Sequence, residues 1–582
     1  MWTTPPPRRA PPRGGQAARL APSPGPPAPR VQVTRGPASS ATPSVDWMAA
    51  SLAVLLPLLL LWPLPVAWPD ALLADPRGEA VRHVWAWWAA LQSGLPLGGH
   101  TELLATPDGA WAPVIDPLHL LIAAGPMALL GPGAGLAVVI WTGHAVSGLA
   151  GALLARESGL DGAGQRIGAA LGASVPGLLG VAVDGITEGL GAGWVGLQLA
   201  LLLAAARDPR PRRLVVLGIA LVAAVHAGPY NAVWCALLDG VVGLLLLRRT
   251  RAHVLPGALA VLLSLPFLLT ALGQDADQPG GGLRTAALPP PPADPWRGAW
   301  RDGADLLDLF VPAPLTGHAP LPATAYLGLA ALLLAAVGAW RWRRSGGRPW
   351  PWVAGGLAFA LLALGPFLVV AGDVVTIAGH RLALPAGLLE RVPPLDRITR
   401  WYRGGAVAVL LLAPLVGRAL PPRLWPVAAL VIVLDARLMA PVPMALPVRP
   451  MPNETPLAEL VGPLAELPDV HPLGDARHAA DDNLALQMVH GQPLGRARDD
   501  VAAGAREHPG LASLRRAWRL PAGGDGAALA RSGAAGLRSA GFGHLVVYPE
   551  RLPGVGRANL EAALGPAVAD GQGLLVFALS AE

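Results

Sequence analysis

From residue 49 to residue 440 the chain is one apolar run after another, and almost every arginine cluster falls in a gap that alternation assigns to the same side. About 20 apolar residues in a helix cross roughly 30 Å of hydrocarbon, and basic residues stay preferentially on the cytoplasmic side. The pattern predicts an α-helical polytopic membrane protein with an arginine-rich inner set of loops and an acidic, Trp-rich outer set. A hydrophobic share of 53%, a charged share of 14% and a mean hydropathy of +0.46 agree, being far from the balance of a soluble domain.

All 44 basic residues are arginine. In a soluble chain an isoelectric point near 10.4 would suggest nucleic acid. Here the arginines flank apolar runs and orient the chain, so no nucleic-acid partner is expected. The abundance of Ala, Gly and Pro suggests a GC-rich bacterial genome, which makes the bacterial inner (plasma) membrane the expected location. Cys235 is the only cysteine, which excludes an intrachain disulfide, a thiol pair and a thiolate cluster.

Residues 1–46, rich in Pro and Arg, lack the apolar periodicity needed to fold and read as a disordered cytoplasmic tail. Residues 47–440 read as the transmembrane domain. A first span over 49–68 follows six arginines and leads into a long first outer loop, 69–135. That loop holds a short apolar piece, 117–130, which decides the topology. If it crossed, the clusters at Arg207 to Arg213 and Arg341 to Arg348 would face outward. If it stays at the outer surface, both fall inside, together with Arg248, Arg249, Arg251, Arg418 and Arg423. The second arrangement obeys the positive-inside rule. It places spans near 136–154, 167–183, 190–206, 214–225, 231–247, 254–272, 323–340, 352–371, 404–416 and 424–440, about eleven with the first. The N-terminus is then cytoplasmic and the C-terminus extracytoplasmic. Residues 441–582 read as a soluble α/β domain, with helices expected over 457–467, 481–489 and 557–564 and strands over 544–548 and 574–579.

Several outer residues carry chemical potential. Asp75 and Glu79 open the first loop, and on a helix Glu79, Arg82 and His83 share a face at i, i+3 and i+4, with Trp85 and Trp88 at the membrane surface. A carboxylate at a dry membrane edge suits a general base. An interfacial helix anchored by Trp is the competing reading. Asp116 initiates the surface piece at Asp116-Pro117. Asp184 and Glu188 occupy a short outer loop without a basic residue, close enough to meet Glu79 across a shared cleft, although Asp184 also suits a helix cap. The outer stretch 372–403 breaks the charge rule with Arg381, Arg391, Arg397, Arg400 and Arg403. Such a cluster suits an anionic lipid phosphate, by specific binding or by contact with bulk phospholipid. Asp239, inside a span, is what an ion-coupled transporter would use, or else a neutral hydrogen-bonded acid. The 13 histidines are scattered without HExxH spacing, and no Walker A loop or dinucleotide fingerprint occurs. No cofactor is indicated, and a divalent metal is left open.

The order of these features resembles the GT-C superfamily of membrane glycosyltransferases, in its bacterial branch related to dolichyl-phosphate-mannose-type enzymes. The resemblance is carried by Gly78-Glu79-Ala80-Val81-Arg82-His83-Val84-Trp85, Pro107-Asp108-Gly109, Asp116-Pro117-Leu118 and Asp184-Gly185-Ile186-Thr187-Glu188. It continues from Leu384-Pro385 through Pro393-Pro394-Leu395 to Arg403, then at His490-Gly491-Gln492-Pro493 and Gly543-His544-Leu545-Val546-Val547-Tyr548. It implies a polyprenyl-phosphate-linked sugar as donor, an envelope glycan or lipid as acceptor, and inverting transfer at the outer face. It further implies Glu79 as the base that deprotonates the acceptor, Asp184 or Glu188 as orienting or assisting acids, and Arg403 or Arg400 on the departing phosphate. Asp75 and Asp116 complete the expected substrate-binding set. The adjacent acid pair common in that loop is replaced by Asp75 and Glu79, four residues apart. A transporter or lipid flippase, and a non-catalytic relative that presents residues 441–582 to a partner, are the alternatives.

Overall fold

The computed structural model covers the whole chain, and the described residues are 44–64, 71–73, 78–94, 98–103, 110–245, 262–264, 303–311, 325–392, 395, 400–440, 442, 446–451, 456–467, 484–494, 508–552, 556–571 and 573–579. Most of the tail 1–46, Asp75, the Pro107-Asp108-Gly109 turn, Arg397 and most of the span expected over 254–272 lie outside them.

The apolar runs are helices: α1 (Trp47–Leu60), α2 (Ala80–Ser93), α3 (Pro117–Leu130), α4 (Pro132–Glu157), α5 (Gly162–Ala173), α6 (Pro176–Asp184), α7 (Ala192–Arg207), α8 (Pro211–His226), α9 (Pro229–Leu245), α10 (Leu329–Arg344), α11 (Trp350–Ala363), α12 (Gly404–Leu411), α13 (Ala413–Val416) and α14 (Trp425–Met439). By length and composition three continuous helical stretches among the described residues suffice to cross a membrane, Pro132–Glu157, Gly162–Asp184 and Thr187–Arg207. Other helices turn an apolar face outward. Leu55 and Leu59 of α1, Val215 and Ile219 of α8 and Leu430 and Leu434 of α14 are exposed. So much outward apolar surface suits hydrocarbon rather than water.

Close backbone approach holds the centre of the bundle. Gly164, Gly168 and Gly172 recur every four residues along α5. A Cβ on Gly168 would lie 2.5 Å from the Gly151 carbonyl of α4, and one on Gly172 would lie 2.1 Å from that of Ser147. Inside lipid, helices associate through such packing because burial from water supplies no drive. Gly168→Val is expected to force α4 and α5 apart and destabilise the bundle by about 1–3 kcal/mol or more. Its melting temperature in detergent, compared with that of the native chain, checks this.

The helices alternate between two ends. At the basic end Arg207 pairs with Glu157 at 2.8 Å and Arg166 with Asp46 at 2.8 Å. Arg418 donates to the Ser158 carbonyl there, and Arg341 donates to that of Ala419 at 2.8 Å. Helix α3 does not carry the chain to this end. Its last turn abuts the first turn of α4, where a Cβ on Gly135 would meet the Met127 side chain, and the other end of α4 is the basic one.

At the opposite end, β1 (Ala71–Leu73) leads toward α2, and β2 (Gly98–Thr101) pairs antiparallel with β3 (Ala110–Pro113) before α3. After α14 the chain returns as β4 (Val448–Pro450), antiparallel to β1. A four-stranded sheet follows, β5 (Leu464–Leu467), β6 (His544–Val547), β7 (Ala569–Gly571) and β8 (Leu574–Ala578), in the order β7-β8-β6-β5 with β5 and β6 parallel and the other pairs antiparallel. Strand alternation splits its side chains. Leu545, Val547, Leu575 and Phe577 pack under α15 (Pro509–Arg519), α16 (Gly524–Ser539) and α17 (Arg557–Leu564), while Val546, Tyr548, Leu574 and Val576 join the core of the rest of the chain. The helix expected over 457–467 is instead a 3-10 turn, Pro456–Glu459, followed by β5. Gly462 at φ 101° and Pro463, which lacks an N–H, stop a helix there. Helices α15 and α16 were not among the expected elements.

Residues 484–494 bridge this sheet to the segment between α1 and α3. The fully buried Gln487 accepts from Trp85 Nε1 at 2.7 Å and donates to the Leu103 carbonyl at 2.6 Å, and Leu494 N donates to that carbonyl at 2.9 Å. Trp85 is thus buried against protein, where a place at the membrane surface was expected. His490 Nδ1 accepts from Gln492 N at 2.9 Å, and burial holds its pKa down at about 4, from 6.5. Between those values the unfolded chain binds the extra proton, so stability is lost as pH falls from 6.5 toward 4, by on the order of 2 kcal/mol. The melting temperature in detergent should fall over that window, and His490→Gln should flatten that part of the curve.

Candidate active site

Helix α2 starts against the end of α6. Glu79 N donates to the Asp184 carbonyl at 2.7 Å, and a Cβ on Gly78 would lie 2.3 Å from the same oxygen. Gly185, in the left-handed region at φ 71°, ends α6 and lets Ala80 approach. Only glycine suits both close approaches. At its other end α2 stops at Gly94, also left-handed at φ 69°, a common helix terminus.

This docking places one face of α2 over the short 3-10 turn Thr187–Gly191. Asp116, ahead of α3, is 1% exposed and gathers three donors. Trp87 Nε1 donates to its Oδ1 at 2.9 Å, Thr187 donates to its Oδ2, and His119 Nδ1 stands 3.2 Å from Oδ2. A carboxylate that accepts this many bonds is an acceptor throughout. With the Thr187 hydrogen directed to Asp116, its oxygen accepts from His83 Nδ1 at 2.8 Å. The ring then directs Nε2 toward Glu188 Oε2 at 3.3 Å and Glu79 Oε2 at 4.0 Å.

The cation comes from the other side of the bundle. Arg403 follows Trp401 and Tyr402 in a 3-10 turn that opens α12. Its Nη2 pairs with Glu188 Oε1 at 2.9 Å, and its guanidinium lies over the Tyr230 ring at 4.5 Å. Arg403 is 8% exposed and Glu188 6%. Arg403 Nε and Nη1 and Glu188 Oε2 have no hydrogen-bond partner among the described residues. A planar fork of donors matches carboxylate and phosphate oxygens. Asn231 closes the floor, its Nδ2 donating to the Glu188 carbonyl at 3.3 Å.

Glu79, Asp116, Asp184, Glu188 and Arg403 therefore lie together at the end opposite the basic loops. Glu79, with its side chain 38% exposed, is the open carboxylate of the group. Asp184 contributes its backbone carbonyl to the seat of α2. Arg400 gives its carbonyl to Arg403 N at 3.2 Å within the turn and is not part of the ion pair. Thr187, Trp87, His119 and Tyr230 join the site without having been singled out for it, while His83 takes the place on the Glu79 face of the helix that the spacing predicts. Two signals were available in the sequence, the shared face of Glu79 and His83 and the Asp-x-x-His spacing of Asp116 and His119. Asp239, on which a transport reading rests, accepts from Gln198 Nε2 at 2.7 Å inside the bundle. Among the described residues no group of three or more His, Cys, Asp and Glu is arranged to hold a metal.

No protein-family model and no curated protein matches the sequence. Solved structures do. The mycobacterial arabinofuranosyltransferase AftD, determined by cryo-EM, superposes with a TM-score of 0.50 at 15% identity, over 93% of this chain and 40% of that one. The chain thus spans about two fifths of the length of AftD. ArnT from Cupriavidus metallidurans, crystallised with undecaprenyl phosphate, gives a TM-score of 0.43 at 14% identity, over 92% of this chain and 99% of that one. Over nearly all of its length the chain therefore shares the fold of that part of AftD.

Proposed function

We propose that this protein transfers a sugar from a polyprenyl-phosphate carrier to an envelope glycan or lipid acceptor, with inversion, at the extracytoplasmic face of the bacterial inner membrane. The observation that carries the reading is the buried Arg403, fixed by Glu188 with two donors left over, next to the half-open carboxylate of Glu79 at one end of a membrane bundle. The arginine-rich end is then cytoplasmic, α3 stays at the outer surface, and the chain crosses about eleven times with its C-terminal sheet outside.

In this reading the acceptor oxygen attacks the anomeric carbon as the bond from that carbon to the phosphate oxygen breaks. The acceptor proton passes to the Glu79 carboxylate, and the released phosphate gathers its charge against Arg403 Nε and Nη1. Glu188 holds the guanidinium in place, while Asp116 and Thr187 orient His83 beside the two glutamates. A preorganised cation acts where charge develops, so it lowers the barrier more than it tightens substrate binding.

The test is mass spectrometry of envelope glycans and polyprenyl-linked sugars in a deletion strain. A missing sugar with accumulated lipid donor, restored by the native chain, supports transfer and identifies both substrates. Unchanged glycans in the deletion strain overturn it.

A further inference from the structure

We propose that Gln487, in the segment that leads into the C-terminal sheet, is a positioning residue for transfer, acting through Trp85 on the helix that carries Glu79. The proposal rests on the transfer reading above. Helix α2 is gripped from two sides. His83 and Trp87, four residues apart, face Thr187 and Asp116, at 2.8 Å and 2.9 Å respectively. Trp85, between them in sequence, points away from that face and donates to Gln487 Oε1 at 2.7 Å.

Gln487 is a rigid partner. It is 0% exposed, and its amide nitrogen donates to the carbonyls of Leu103 at 2.6 Å and Gln492 at 2.9 Å. The segment is tied to the sheet in turn, since Leu464 N donates to the Pro493 carbonyl at 2.8 Å and Gly462 N to Gln492 Oε1 at 3.1 Å. A continuous hydrogen-bonded path thus runs from β5 through residues 487–493 to Trp85, less than two turns from Glu79. One side chain carries both directions of the contact, accepting from α2 and donating to the loop that follows it. Catalytic groups held by locked rotamers and a supporting shell stay within the narrow geometry that reaction needs, and a shift near 1 Å is enough to lose the rate. Arg403 and Glu188 approach from other elements and do not depend on this path.

The experiment compares the full-length native chain with Gln487→Leu, Trp85→Phe and the double variant. Trp85→Phe keeps an aromatic ring in place and removes the N–H, so it tests the contact even if Gln487→Leu folds poorly. Three readouts are taken: deuterium exchange of residues 80–93, retention of undecaprenyl phosphate by the purified chain in detergent, and transfer product per mole of protein in the complemented deletion strain. The expected result is faster exchange in α2, lipid-phosphate retention within twofold of native, product lowered at least tenfold by either single variant, and no further loss in the double. Product within twofold of native in both single variants overturns the role. So does additive loss in the double variant, or loss of lipid-phosphate retention along with product, which marks general disruption. A native chain that restores no product overturns the transfer reading and this role with it, whereas native product matched by that of Gln487→Leu and Trp85→Phe overturns the positioning role alone.

Discussion

Glu79→Gln is expected to remove transfer almost completely, lowering product formation by about 10²–10⁴-fold, the usual contribution of a positioned base. The amide keeps nearly the same shape and stays at the half-exposed position beside His83. The start of α2 should persist, because Glu79 enters it through its backbone N–H to Asp184 and not through its side chain. Retention of undecaprenyl phosphate and the melting temperature should therefore match those of the native chain while product is lost. A Glu79→Gln chain that restores native glycans would exclude this carboxylate as the base.

Replacing Arg403 should do two things at once. Arg403→Ala leaves Glu188 buried without its cation, and an uncompensated buried charge destabilises by about 3–5 kcal/mol. A lower melting temperature in detergent reads this. Arg403→Lys separates the roles. A lysine ammonium still neutralises Glu188 but cannot present the planar fork that Nε and Nη1 offer. Its melting temperature should stay nearer that of the native chain, while transfer falls by about 10²–10³-fold, as for loss of a donor that meets developing charge. If Arg403→Lys transfers at the native rate, the guanidinium fork has no place in the reaction.

The sequence located the ends of the molecule well. The spans expected over 136–154 and 214–225 lie wholly in helices, whereas the one expected over 352–371 leaves its helix after Ala363 and ends in a short strand, Val369–Val370. The arginines meant to share a side do so in direct contacts, Arg207 with Glu157 and Arg418 with the Ser158 carbonyl. These features are legible because apolar length and charge placement are one-dimensional properties that lipid imposes on each segment separately. The reading failed where a local preference was outweighed by neighbours. Residues 464–467 lie in a run with helical propensity, yet β6 offers a parallel partner and Pro463 ends any helix. Trp85, an ordinary interfacial anchor by composition, is buried because residues 484–494 fold back over α2.

By itself the sequence determined the helical membrane character of this protein, the resemblance to the GT-C superfamily and the acids of the loops that follow the first apolar run and residue 183. Only the tertiary structure decided how those acids differ. It seats Asp116 among three donors, binds Glu188 to Arg403 from a segment more than 200 residues away and leaves Glu79 the open carboxylate. Three carboxylates of one chemistry take three roles because accessibility and partner charge depend on distances between helices, which no run of neighbouring residues encodes.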